Sequence, residues 1–117
     1  MNPIRTLMLS AVLVAALAAA PAQAAPTKLV GTVGPGFTIT LTKGGKKVKT
    51  LNPGKYAITI RDKSAAHNFH LRGNGLNKMT SVGAVTTKTW TVTLKKGTFR
   101  YVCDPHASAM KGSFTVS

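Results

Sequence analysis

Four stretches of the sequence alternate apolar and polar residues with a period of two, and this restricts the chain more than any other feature. Phe37, Ile39 and Leu41 alternate with Thr38, Thr40 and Thr42, and Tyr56, Ile58 and Ile60 alternate with Ala57, Thr59 and Arg61. Trp90, Val92 and Leu94 alternate with Thr89, Thr91 and Thr93, and Phe99, Tyr101 and Cys103 alternate with Arg100 and Val102. Successive side chains of a strand point to opposite faces, so these runs predict strands with one buried and one wetted face. Turn signals separate them: Gly34-Pro35-Gly36, Gly44-Gly45, Asn52-Pro53-Gly54, Gly73-Asn74-Gly75 and Lys95-Lys96-Gly97. With residues 28–33, 46–50, 67–71 and 113–116 as further edges, the pattern predicts an all-β sandwich or barrel of about seven or eight short strands. Residues 76–85 carry Met79, Val82 and Val85 at three-residue spacing. Gly83 and the β-branched residues oppose a helix there, so the segment reads as a loop with at most one helical turn.

Ahead of these runs lies a different kind of sequence. A short basic segment ending at Arg5 precedes an apolar run over residues 7–20, and Ala22-Gln23-Ala24 then supplies small residues at a cleavage site. That order predicts a secretory signal peptide over residues 1–24, with an apolar run too short for a stable membrane span. The alternative is an uncleaved N-terminal anchor, against which the Ala-x-Ala pattern weighs. No cysteine near the junction would take a lipid. Residues 25–117, 93 of the 117, are expected to form one monomeric domain, periplasmic or secreted, with no later apolar stretch long enough to cross a bilayer.

Charge and carboxylate count narrow the function classes. Sixteen Lys and Arg face two acidic residues, a formal charge of +14; loss of Arg5 with the leader leaves fifteen against Asp62 and Asp104, or +13. Such a field attracts acidic proteins, anionic headgroups or polyanions, and a merely solvated basic surface remains the alternative. Export and the absence of a basic helix argue against nucleic acid. Two carboxylates leave almost no room for paired acid/base catalysis, so no enzyme is expected. A Cys103–His106 nucleophilic pair is the remaining catalytic alternative.

Cys103 is the only cysteine, whereas exported domains usually pair theirs. It is an inert buried thiol, half of an intermolecular bridge, or a ligand. Its surroundings are Tyr101-Val102-Cys103-Asp104-Pro105-His106-Ala107-Ser108-Ala109-Met110. One short loop thus offers a thiolate, an imidazole and a thioether, a soft set that favours copper. A second imidazole is available from His67, in Asp62-Lys63-Ser64-Ala65-Ala66-His67-Asn68-Phe69-His70. A zinc set of His67, His70, Cys103 and His106 is the rival; strand alternation would turn His67 and His70 to opposite sides, and Met110 would have no role.

The pair His67-Asn68, far upstream of Cys103-x-x-His106-x-x-x-Met110, resembles the plastocyanin and pseudoazurin group of cupredoxins. Leu51-x-Pro53-Gly54-x-Tyr56 and Gly97-x-Phe99-x-Tyr101-x-Cys103 extend the resemblance over nearly the whole of residues 25–117. It implies an all-β, two-sheet Greek-key β-sandwich holding one type 1 copper ion, with His67, Cys103 and His106 in a trigonal plane and Met110 as the long axial ligand. It further implies that Asn68 pins the ligand loop and that the His106 ring reaches the surface as the electron's exit. Three residues separate His106 from Met110, where plastocyanin-like loops usually have four and amicyanin-like loops two. The function implied is a mobile one-electron carrier whose redox partner, given the charge, has an acidic docking face. Copper carriage, storage or delivery by the same ligands is the alternative.

Overall fold

Among the described residues ten strands form in the order β1 (Thr27–Val33), β2 (Ile39–Lys43), β3 (Lys46–Lys47), β4 (Thr50–Leu51), β5 (Gly54–Asp62), β6 (His70–Gly73), β7 (Leu76–Met79), β8 (Thr86–Leu94), β9 (Gly97–Val102) and β10 (Lys111–Val116). The computed structural model describes residue 3, residues 11–15 and residues 24–117; the expected leader, residues 1–24, falls mainly outside these. One five-stranded sheet has the order β3-β2-β1-β5-β8 and the other β4-β10-β9-β6-β7. The inward residues of the alternating runs meet between them. Leu29, Leu41, Ile58, Ile60, Phe69, Leu71, Leu94 and Tyr101 are all at most 1% exposed. Phe69 stacks on Tyr101 with ring centroids 5.6 Å apart, and Phe99 stacks on Phe114 at 5.2 Å. Offset stacking of this kind adds to the burial of apolar area that holds the two sheets together.

The all-β architecture is the one the alternation predicts and its two sheets are those the resemblance implies, and the differences lie at the edges. Residues 46–50, expected as one strand, divide: β3 pairs with β2 in the first sheet and β4 with β10 in the second. Val48 between them is 3% exposed and seals the open side of the sandwich, its N–H bonded to the Leu41 carbonyl. Neither sheet is purely antiparallel, because β1 runs parallel to β5 and β4 parallel to β10. Residues 76–79, expected in a loop, form the edge strand β7. It pairs with β6 through the turn Asn74-Gly75, where both residues have positive φ (39° and 78°). That is the Asn-Gly hairpin signature. The strand itself was hidden because three of its four residues are exposed, so no alternation marks it. Phe37, expected on the inward face of its run, lies before β2 and is 68% exposed.

Register fixes where the connections collect. Val33, Asp62 and Thr86 align across the first sheet, and Met79, His70, Val102 and Lys111 across the second. The connections 34–38, 63–69, 80–85 and 103–110 therefore gather at one end of the sandwich.

Candidate metal centre

The loop after β9 is closed at its base. Val102 pairs with Lys111, and the Cys103 N–H donates to the Met110 carbonyl at 3.0 Å. Inside that closure Asp104–His106 form one 3-10 turn, with Pro105 where a missing N–H removes no helical bond. The His106 N–H reaches the Cys103 carbonyl at 3.0 Å. In a 3-10 turn residues three apart eclipse, so the two-residue gap between Cys103 and His106 brings thiol and imidazole to one side. The Met110 N–H then returns to the His106 carbonyl at 2.8 Å, a four-residue turn, and Met110 is buried beneath the loop at 1% exposure.

His67 approaches from the connection between the sheets. Asp62 Oδ1 accepts the Ser64 N–H, Ser64 Oγ accepts the Ala66 N–H, and the Ser64 carbonyl accepts the His67 N–H at 3.3 Å. These turns end with Nδ1 of His67 3.7 Å from Cys103 Sγ and 3.1 Å from Nδ1 of His106, which is itself 3.6 Å from Sγ. The imidazole rings cross at 79° with centroids 4.8 Å apart. Phe37 packs edge-on against both, 5.2 Å from His67 and 4.9 Å from His106. Gly34, at φ 73°, belongs to the same cover: a Cβ there would lie 3.4 Å from Cδ2 of His67 and collide with Ser64.

This donor set fits a metal. His67 and Cys103 are buried, His106 is half-buried, and their three donor atoms converge on one another. From the three separations, the point equidistant from them lies about 2.0 Å from each, the range of metal–imidazole bonds and slightly short for a thiolate. Two imidazoles and a thiol pointed at one spot, with one side of the set soft, suit copper in both its oxidation states.

A buried polar network holds the ligand segments in place. Asn68 is 1% exposed. Its Oδ1 accepts the Asp104 N–H at 2.8 Å, while its Nδ2 donates to Asp104 Oδ2 at 2.8 Å and to the Thr80 carbonyl at 3.3 Å. Thr80 Oγ1 accepts the Phe69 N–H and donates to buried Asp62 at 2.8 Å. His70 places Nδ1 2.9 Å from Asp104 Oδ1 and Nε2 against Asn77 Oδ1. Burial pushes the Asp104 carboxyl up, but hydrogen bonds from Asn68 and His70, with the charges of His70 and Arg72, hold it below its ordinary value. Both carboxylates of the chain are therefore committed to bracing the two ligand segments.

His67, Cys103 and His106 come together as the sequence predicts, and Met110 closes their loop. The zinc rival does not assemble, because His70 faces Asp104 and Asn77 instead of the thiol. Asn68 braces the loop as expected. Asp104, Thr80, Asp62 and Phe37 went unread as site residues; both carboxylates in a chain with only two was the available signal.

Residues 38–117 match the sequence profile of copper binding proteins of the plastocyanin/azurin family. The chain is a cupredoxin. Reduced rusticyanin, solved at 1.9 Å, is 23% identical and superposes with a TM-score of 0.55, covering 77% of this chain and 78% of its own. Reduced auracyanin from the photosynthetic bacterium Roseiflexus castenholzii is 22% identical with a TM-score of 0.54, covering 80% and 99%. A chain of a heme-copper terminal oxidase dimer is 18% identical with a TM-score of 0.54, covering 77% and 63%. At these identities the likeness is one of fold. No curated protein sequence matches. As a copper-binding cupredoxin the chain has in His67, Cys103 and His106 its candidate single-copper site. Among the described residues no helix is long and apolar enough to cross a membrane.

Proposed function

We propose that this cupredoxin is a mobile one-electron carrier in which Nδ1 of His67, Sγ of Cys103 and Nδ1 of His106 would hold one copper ion, with Met110 as the fourth ligand. The observation that carries the reading is the convergence of those three atoms at separations of 3.1–3.7 Å within a braced, buried pocket. Bound copper supplies the redox chemistry, exchanging one electron between Cu(II) and Cu(I).

The chain's own residues do the rest. Small reorganisation requires ligands that hold their positions whatever the charge at the centre. Asn68 and Asp104 fix the start of the ligand loop, the Cys103–Met110 backbone bond fixes its end, and the turns at Ser64 fix His67. The Cys103 thiol is fully buried, and Phe37 packs edge-on against both imidazoles beside it. His106 is the half-exposed member of the three, so it offers the shortest way out for an electron.

Residues 1–24 act in this reading as a cleaved export signal, giving a periplasmic or secreted protein that begins at Ala25. Electron transfer rather than copper delivery is supported by the preformed site, since a delivery protein must surrender its metal readily. Voltammetry tests the reading: a reversible one-electron wave is expected, with copper retained through repeated cycles. An irreversible wave accompanied by metal loss to a chelator would favour the delivery role.

A further inference from the structure

The two outer faces of the sandwich differ in kind. On the first sheet, β8 turns Thr87, Thr89, Thr91 and Thr93 outward, and Thr89 meets Thr59 of β5 with hydroxyls 3.2 Å apart. Thr32 and Thr40 continue that face, and Arg61 stands between Thr32 and Thr87. The second sheet presents something else. One row across four strands reads Asn77, Arg72, Arg100 and Ser113, all exposed, with the two arginines directly opposite each other. Of the three arginines after residue 24, two are therefore cross-strand partners.

Like charges placed directly opposite on neighbouring strands are destabilising. Among the described residues neither arginine forms an ion pair, and Asp104 offsets Arg72 by charge alone. Asp62 is buried against Thr80 and Ser64, and Asp104 is held by Asn68 and His70. Asn77 has its Oδ1 against His70, which leaves its amide NH2 as a donor. The row is thus rich in donors and holds no carboxylate. Arginine, rather than the lysine that dominates elsewhere, is the side chain suited to bidentate carboxylates. Two positions nearer the metal centre, the next row on this face carries half-exposed Met79, then His70, Val102 and Lys111, and Val102 immediately precedes Cys103.

We propose that the outer face of the second sheet, centred on the Arg72–Arg100 pair, is the docking surface for a carboxylate-bearing face of a protein redox partner. The proposal rests on the electron-carrier reading and locates the partner on the sheet that leads to Cys103. Guanidinium pairs take the carboxylates, Asn77 and Ser113 supply neutral hydrogen bonds at the margin, and Met79 supplies apolar contact. This mixture suits a protein interface better than a uniform polyanion, which needs only charge.

The test titrates the 15N-labelled copper(I) protein with a hexaglutamate peptide. The largest shifts are expected at the Arg72 and Arg100 side-chain NH groups and along β6 and β9. The R72Q/R100Q double variant should bind about tenfold more weakly, whereas K28Q/K55Q, with the same loss of charge on the first sheet, should stay within about twofold of the parent. Equal losses in both double variants would overturn the proposal in favour of diffuse charge. Inorganic phosphate binding as tightly as the peptide would overturn it in favour of a small oxyanion site. A colourless copper(II) form would sink the carrier reading, while the peptide titration would still decide whether this face takes carboxylates.

Discussion

At the scale of residues, the centre depends on spacing that the sequence displays and on contacts that it conceals. The gap of two residues from Cys103 to His106 and of three from His106 to Met110 match one 3-10 turn followed by one four-residue turn, so both were legible. Phe37 was misread for a physical reason: its run alternates correctly, but the bond from Gly34 N–H to the Thr38 carbonyl closes the turn before β2 begins. The ring is left outside the core, against the two imidazoles. Met110→Leu should keep copper and its colour, since the planar donors remain. Loss of the thioether removes a weak donor to the oxidised state, so the reduction potential should rise; an unchanged potential would remove Met110 from the ligand set. Asp104 carries the pH dependence. Its carboxyl sits below the ordinary value when folded, so its stabilising contribution is complete above that value and is lost as pH falls through the folded one. Urea melts of the metal-free protein should show Asp104→Asn less stable than the parent at pH 7. The gap should narrow below about pH 4, where the unfolded carboxyl is already protonated.

At the scale of elements, buried strands announced themselves and edge strands did not. β5, β8 and β9 each place alternate residues in the core, and period two is the trace of that. β3, β4 and β7 are short and largely exposed, so pairing with a neighbour defines them and composition does not. The parallel pairings were equally silent, because register between distant strands leaves no local mark. One cross-strand contact is tight enough to measure: Gly112 pairs with Tyr101, whose ring occupies the place a Cβ at residue 112 would take. Gly112→Val should therefore lower stability by about 2–3 kcal/mol through overpacking. Chemical denaturation of the metal-free protein checks this, and a loss no larger than that of Ser113→Val on the exposed face would show that Tyr101 moves aside freely.

At the scale of the whole molecule, the chain combines a strong positive charge with a site that consumes its only two acids. Composition gives the charge but not its distribution. The threonine face of one sheet and the arginine pair on the other appear only when register is known. The same assembly brings residues 36 and 39 positions apart in sequence, Cys103 and His106 against His67, into contact at one end of the sandwich. Family membership establishes copper binding; the identity of each ligand rests on that geometry. The visible and EPR spectra of purified protein given one equivalent of Cu(II) test it most directly. An intense thiolate-to-copper band with a narrow copper hyperfine splitting is expected, abolished by Cys103→Ser. A colourless complex with an ordinary tetragonal signal, or one identical in the Cys103→Ser variant, would contradict the account.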